Sequence, residues 1–358
     1  MRERLEPELI TSLDQVTPAW LNGVLRRAGL LGGAKVADIS HESAITSFSV
    51  IAHLRVSYTS DSRSPARLFL KFSKPRLHRS KPEGGWEVLF YKFVAPRSPD
   101  PLLHCYDAVF SPERGSLHLL LEDVSDTHYS EPPSQLPPTR RNCELIVEAL
   151  AHIHAAWWEQ PPWNVIGGSH PDRAEVDRRI QEVRERIALF TNFLGDRISA
   201  KRRDVYCEVL AALPDLYQRL TLRRGYTVVH DDIHIGNVLY PQNPITDTVR
   251  IIDWQTWHVD LAAKDLAHMM AMFWFPDQRR LMERLLLRHY YDRLCEDGVV
   301  NYSWDQLWND YRLCVIRKLF HPAWQWETGH HPNIWWNHLE RVMVAYDDLQ
   351  CCELLGSK

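Results

Sequence analysis

Thr227-Val228-Val229-His230-Asp231-Asp232-Ile233-His234-Ile235-Gly236-Asn237-Val238-Leu239-Tyr240 is the stretch on which the reading of this chain turns. Two apolar, β-prone runs flank a polar loop in which two Asp, two His, one Gly and one Asn fall within eight residues, 230–237. Thirteen residues after Asn237 begins Arg250-Ile251-Ile252-Asp253-Trp254, a second apolar run that meets a carboxylate. A loop with a carboxylate and an amide, followed one hairpin later by another carboxylate, has the oxygen donors that a magnesium–phosphate transfer site needs. In such a site one Asp meets an acceptor hydroxyl, while the Asn and the second Asp hold the metal against nucleotide phosphates.

The chain has 358 residues, enough for two lobes of unequal size. With 45% hydrophobic and 25% charged residues, its composition is that of an ordinary globular protein. A net charge of -4 with no long basic run argues against nucleic acid as a partner. No stretch approaches a membrane span, and Met1-Arg2-Glu3-Arg4 is charged where a signal peptide would turn apolar, so no membrane association and a cytoplasmic location are expected. The seven Cys are scattered without a Cys-x-x-Cys pair and read as reduced thiols, with the adjacent Cys351 and Cys352 expected on a C-terminal helix.

Outward from the loop, the N-terminal part reads as a small mixed lobe. Thr17-Pro18-Ala19-Trp20-Leu21 opens a short helix that Gly29 ends. Strands are expected at 36–39, 48–56 and 67–72, a helix at 84–93, and two further strands at 105–110 and 116–122. The order is β-β-β-α-β-β. Lys71 lies in the third strand between apolar neighbours, so its charge needs a partner. Glu87, on the helix 16 residues later, is the candidate, although Glu83 is near.

The Pro-rich segment Glu131-Pro132-Pro133-Ser134-Gln135-Leu136-Pro137-Pro138 marks a change of composition, after which the chain becomes helical. Helices are expected at 143–158, through Val176, Ile180, Val183 and Ile187, and through Val205, Val209, Leu213, Leu216 and Leu220. More follow around 264–275, 278–296, 304–320 and 335–354. The expected architecture is α+β and bilobal: residues 1–124 as a lobe with an antiparallel sheet and one helix, residues 125–358 as a larger, mainly α lobe carrying the polar loop.

His230-Asp231-Asp232-Ile233-His234-Ile235-Gly236-Asn237 resembles the His-Gly-Asp-x-His-x-x-Asn loop of the aminoglycoside phosphotransferase and choline-kinase-like families, small-molecule kinases with a protein-kinase-like fold. Ile251-Ile252-Asp253-Trp254 is similar to their Ile-Asp-Trp element, Asp265-Leu266-Ala267 to their Asp-Leu-Ala helix start, and Leu150-Ala151-His152-Ile153-His154 to their Leu-Ala-x-Leu-His helix. The resemblance runs in order over residues 36 to 275. It implies an ATP- (or GTP-) and Mg2+-dependent transfer of the γ-phosphate to a hydroxyl of a small molecule. Asp232 matches the catalytic carboxylate, Asn237 and Asp253 the magnesium ligands, Lys71 the phosphate-contacting lysine, and Glu87 its ion-pair partner. The adenine would be read by backbone groups around Glu122 and Val124, where the lobes meet, and Ser47 would touch phosphate in a flap without glycine. His230 and His234 would brace the loop.

One departure from the pattern stands out. Asp231 occupies the family's Gly, adding a Cβ and a third carboxylate that would alter the loop or make it more negative. The acceptor pocket is expected between the polar loop and the C-terminal helices, a region rich in aromatics that includes Trp254, Trp257, Phe273, Trp274, Trp324 and Trp335, with His321, Glu327, His330 and His331 as polar contacts. Most of these aromatics are expected to be packing residues. The acceptor would be aminoglycoside-, amino alcohol- or macrolide-like, and the protein a monomer or homodimer. The alternatives are a nucleotide-binding pseudokinase or regulatory module, motivated by Asp231, and a metal-dependent phosphohydrolase built on the His/Asp cluster.

Overall fold

The structure is a computed structural model that describes residues 8–46, 49–61, 63–73, 84–98, 100–131, 138–166 and 170–356. The chain divides into two compact units, Met1–Tyr129 with Leu239–Trp257, and Ser130–Val238 with His258–Lys358. The expected division at 124/125 therefore shifts by a few residues. The segment 239–257, assigned by the sequence reading to the helical lobe, falls with the first unit. Backbone bonding gives the reason: the Gln242 amide donates to Thr127 O at 2.8 Å, and the Ile251 amide to Pro101 O at 3.2 Å.

In the first unit, α1 (Pro18–Arg27) begins at Thr17, whose side chain accepts from the Trp20 amide. Five antiparallel strands follow: β1 (Val36–Ile45), β2 (Ser49–Tyr58), β3 (Arg67–Ser73), β4 (Cys105–Ser111) and β5 (Ser116–Glu122), in the sheet order β1-β2-β3-β5-β4. β1 reaches Ile45, further than the alternation at 36–39 indicated, because it pairs with β2 along its whole length. Trp20, Leu21, Val24 and Leu25 of α1 pack on Ala52, Leu54, Leu68, Leu70 and Leu120 of the sheet. Each large apolar side chain buried this way contributes about 1.5–3 kcal/mol. α2 (Gly84–Leu89) continues as a π-helical turn, Phe90–Val94. Ser47, Glu83 and the Pro-rich residues 132–137 lie outside the described residues.

The second unit is mainly helical: α3 (Arg140–Ala156), α4 (Trp163–Ile166), α5 (Arg173–Leu194), α6 (Ala200–Gln218), α7 (Ala263–Ala267), α8 (Pro276–Glu296), α9 (Trp304–Lys318), α10 (His321–Glu327) and α11 (Pro332–Asp348). Thr139, Asp172, Ser199 and Ser303 cap α3, α5, α6 and α9 with side-chain acceptors. α10 was not anticipated. Pro322 near its start lacks an amide to continue α9, so the chain turns and a new helix starts. The adjacent cysteines lie on a short 3-10 turn, Cys351–Leu355, rather than a helix end, and all seven Cys are free.

β7 (Tyr226–Val229) and β10 (His258–Leu261) form an antiparallel ladder, so the chain enters the polar loop and returns after Asp253 on neighbouring strands. β6 (His128–Ser130), β8 (Val238–Pro241) and β9 (Arg250–Ile251) make a small sheet in that order, with β8 and β9 as the expected hairpin.

Candidate active site

In the first unit, β3 buries Leu68, Leu70 and Phe72 on one face and turns Lys71 to the other. The Lys71 ammonium donates to Glu87 Oε1 at 2.9 Å and to Asp253 Oδ1 at 2.6 Å. Burial, the largest influence, pulls its pKa down, but the two carboxylates outweigh it and raise the value above the usual lysine range. One cation between two carboxylates leaves the trio net negative. Glu87 is 3% exposed and Asp253 29%, so Asp253 is the accessible oxygen donor. That arrangement suits a hard divalent cation with phosphate oxygens around it.

Asp253 is aimed by its backbone. It sits at φ 66°, in the left-handed region, at a cost of roughly 1–2 kcal/mol for a side chain other than glycine. Its neighbour Trp254 is fully buried, donates through Nε1 to Ile251 O at 3.0 Å, and stacks on Phe90 with centroids 3.9 Å apart and planes within 7°. Trp257 Nε1 donates to Trp86 O at 2.7 Å. Two aromatic bridges thus lock the helix of Glu87 to the turn of Asp253. Trp254 and Trp257, expected near an acceptor pocket, instead hold this trio together.

Glu122 ends β5, and its side chain accepts from the His104 amide at 2.8 Å. The Val124 carbonyl accepts from the amides of Thr127 at 2.9 Å and His128 at 2.8 Å, so it is spent on a turn. Of Val124's backbone groups, the amide is the one suited to read a base.

In the second unit, the polar loop hangs from Asp265. Its Oδ2 accepts from the His230 amide and its Oδ1 from the Asp231 amide, both at 2.8 Å. Asp265 is fully buried. His154 Nε2 donates to its Oδ2 at 3.3 Å, while His154 Nδ1 accepts from Tyr290 Oη at 2.8 Å. Burial pushes the Asp265 pKa up, but the His154 hydrogen bond prevails and holds it below the usual carboxylate range. The motif residues of α3 and α7 therefore brace the loop through one buried carboxylate. The two loop histidines brace it as well, through backbone amides: His230 Nδ1 accepts from the Asp232 amide at 3.2 Å and His234 Nδ1 from the Gly236 amide at 3.0 Å.

Asn237 Nδ2 donates to Asp232 O at 2.9 Å and lies 3.4 Å from Asp232 Oδ2. Spending the amide nitrogen on Asp232 fixes the side-chain flip and presents the carbonyl oxygen, the atom that can ligate a hard cation. The Asp232 carboxylate is 36% exposed, with His268 Nε2 at 3.5 Å from Oδ1 and His234 Nε2 at 3.9 Å from Oδ2.

Asp231 corrects an expectation. It adopts φ 62°, in the left-handed region that favours glycine, and its carboxylate does not leave the loop more negative. Lys318 Nζ donates to Oδ1 at 2.9 Å and Lys264 Nζ lies 3.2 Å from Oδ2. Burial opposes ionisation, yet the two ammonium groups hold Asp231 well below the usual carboxylate range. Lys264 also meets Asp260 at 3.1 Å, and Arg317 grips Asp260 with two bonds of 2.8 and 2.7 Å. Two carboxylates against two lysines and an arginine make the buried cluster cationic by one charge.

Sequence reasoning missed Lys318, Lys264, Arg317 and His268. Their signal was Arg317-Lys318 within the apolar run Val315-Ile316 and Leu319-Phe320: two cations bound for burial, which a carboxylate in place of glycine would answer. Around the loop, His234 stacks on Phe273 with centroids 5.1 Å apart, and His338 lies 4.8 Å from the same ring. Of the other expected polar contacts, Glu327 pairs with Arg186 at 2.7 Å and the His331 side chain caps α11, so both have structural roles.

A lysine paired with two carboxylates in a small sheet-and-helix unit, and an Asp/Asn loop on a buried Asp in a helical unit, mark the protein-kinase-like fold of small-molecule kinases. The sequence profile of the phosphotransferase enzyme family matches residues 47–299, and the chain belongs to that family. By sequence, no curated protein matches it. Among solved structures, it is similar to a proposed aminoglycoside phosphotransferase of Ralstonia eutropha, at 14% identity and TM-score 0.57, covering 93% of this chain and 97% of the other. It is also similar to Plasmodium vivax ethanolamine kinase, at 12% identity and TM-score 0.54, covering 87% and 81%. A third is wild-type aminoglycoside 2'-phosphotransferase-IIIa, solved as its GDP complex, at 10% identity and TM-score 0.53, covering 94% and 99%. At these identities the likeness is one of fold. Family and fold together make the protein a small-molecule kinase.

Proposed function

We propose that this phosphotransferase moves the γ-phosphate of ATP or GTP, with Mg2+, to a hydroxyl of a small molecule. The observation that carries the reading is the Lys71–Glu87–Asp253 trio: a half-buried lysine held between two carboxylates, one of them accessible. Lys71 binds phosphate oxygens as a point charge, and Glu87 keeps its ammonium charged and aimed. Asp253, and on the loop the carbonyl oxygen of Asn237, would serve as the metal's protein ligands. Mg2+, when bound, neutralises charge on the phosphate oxygens. Asp232 orients the acceptor hydroxyl and takes its proton as the bond to phosphorus forms, a late and modest demand because the transition state is loose. The Val124 amide and the Glu122 carbonyl read the base. Ser47, outside the described residues, remains the candidate phosphate contact of the flap.

The Asp232 carboxylate has the His268 imidazole 3.5 Å away, and behind it His268 meets the rings of Phe273 and His321. Burial, the largest influence, pulls the pKa of His268, His321 and His338 below the usual histidine range, to about 3 for His338. A loop neighbourhood of neutral rings and paired charges favours an amino alcohol- or macrolide-like acceptor over a polycationic aminoglycoside. With Asp231 paired to two lysines, the motive for a pseudokinase reading weakens. For a phosphohydrolase, no group of three or more His, Cys, Asp or Glu is arranged to hold a metal among the described residues. No helix among them is long and apolar enough to cross a membrane. The test is an acceptor panel incubated with ATP and with GTP, read as phosphorylated product by mass. Transfer is expected in the wild type and lost in Asp232→Ala and Asp253→Ala. Full transfer by both variants would sink the assignment.

A further inference from the structure

His268 opens a π-helical turn, His268–Phe273, that continues α7. Such turns are rare and recur at functional sites, because they displace one side chain from the regular helical face. The side chain that opens this turn is an imidazole that is 1% exposed. Its two nitrogens have different neighbours. Nδ1 lies 2.7 Å from Lys318 Nζ, and the same ammonium donates to Asp231 Oδ1 at 2.9 Å. An ammonium can only donate, so Nδ1 is the acceptor and the ring proton sits on Nε2. Nε2 has no hydrogen-bond partner among the described residues, yet Asp232 Oδ1 is 3.5 Å away. A buried N–H left unsatisfied is unfavourable, and a shift of half an ångström would close it onto the carboxylate. Unliganded sites commonly hold such bonds long and tighten them when substrate binds. Asn237 Nδ2 approaches the other oxygen, Oδ2, at 3.4 Å.

We propose that His268 is a positioning residue for Asp232, its Nε2–H holding Oδ1 so that the carboxylate faces the acceptor hydroxyl, and that the Asp231–Lys318 pair sets the imidazole tautomer that makes this possible. Asp231 is then half of a two-residue device whose other half is Lys318. This rests on the reading of Asp232 as the catalytic carboxylate.

The experiment compares His268→Gln, His268→Asn and His268→Leu with Asp232→Ala, measuring kcat and KM for magnesium–nucleotide turnover. A glutamine amide places a donor near the Nε2 position, whereas an asparagine amide places it near Nδ1. Gln is expected to keep kcat within several-fold, while Asn and Leu lose roughly 10- to 100-fold in kcat with KM nearly unchanged. A purely structural role would instead make the three variants track their thermal midpoints. The double variant Asp231→Gly/Lys318→Met removes the tautomer control while placing a glycine at a left-handed backbone position and avoiding an orphaned charge. It is expected to lower kcat several-fold in the wild-type background and hardly at all in the His268→Gln background, because an amide has no tautomer to set. If His268→Leu retains full kcat while Asp232→Ala is inactive, the positioning role is wrong and the kinase reading stands. If Asp232→Ala itself retains full turnover, both fall.

Discussion

Lys318→Met is the substitution whose cost the structure sets most closely. Lys318 is 4% exposed and donates to Asp231, which is held ionised in the same buried cluster. Removing one partner of a buried ion pair costs about 3–5 kcal/mol, because the other charge stays behind in a poor solvent. Lys264 remains 3.2 Å from Asp231 Oδ2, which places the loss near the lower end, about 3 kcal/mol. Asp231→Gly strands Lys318 instead. Burial already pulls the Lys318 pKa down, so it sheds its proton readily. The glycine also relieves a left-handed backbone position, and the expected loss is about 1–2 kcal/mol. In the double variant both charges are gone, and stability should return to within about 1 kcal/mol of wild type. The cycle therefore predicts a favourable coupling of at least about 3 kcal/mol. Urea unfolding of the four proteins at neutral pH, followed by tryptophan fluorescence, measures it. Additive losses, within about 0.5 kcal/mol, would refute the claim that Lys318 is present to answer the carboxylate at 231.

Other outcomes follow from the same geometry. Lys71→Met and Asp253→Asn should each abolish the thermal shift given by magnesium and nucleotide while leaving an unliganded protein that folds, a result that separates phosphate binding from stability. Phe90→Leu removes the ring stacked on Trp254 and should cost about 1–3 kcal/mol, with weaker nucleotide binding because the Asp253 turn loses its support; denaturant unfolding and the same thermal shift would show it. His338 is buried beside Arg341 and donates through Nδ1 to Gln325 Oε1 at 2.9 Å, with its pKa pulled to about 3. Its folded pKa is below the unfolded value of about 6.5, so the unfolded chain binds the extra proton and stability falls as pH drops below about 6.5. The loss at pH 5 should be about 2 kcal/mol from this residue, with His268 and His321 acting in the same direction. His338→Gln should flatten the decline in unfolding free energy between pH 7 and pH 5 by that amount.

Much of this molecule could be read from its sequence because local chemistry and global fold agree. Thr17, Thr139, Asp172, Ser199 and Ser303 each place a capping oxygen just before an apolar periodic run, and each caps a helix. Lys71 was identified by the demand that a charge in an apolar strand be paired, and Glu87 answered it. The β7–β10 ladder was less legible, since it joins strands separated by a loop, a hairpin and a turn, and no local pattern encodes that pairing. Residue 231 shows the limit most sharply. The sequence displayed an aspartate where the resembling families have glycine, and from it alone an added negative charge was the reasonable expectation. Its partner stands 87 residues later, at the end of a helix whose apolar neighbours make a lysine look like a boundary residue. Charge pairing over that distance is decided by tertiary packing. The sequence marked Asp253 as a candidate ligand, but not its left-handed backbone or the Phe90–Trp254 stack that supports it.

The central claim is that this chain transfers phosphate through Asp232. Its most direct test is the mass of acceptor products formed from ATP or GTP by the wild type and by Asp232→Asn, a variant that keeps the side chain's shape but cannot take the hydroxyl proton. The account predicts acceptor carrying one phosphoryl group with the wild type, and a fall of at least about 100-fold with the variant at unchanged nucleotide affinity. Equal product from both proteins would contradict it.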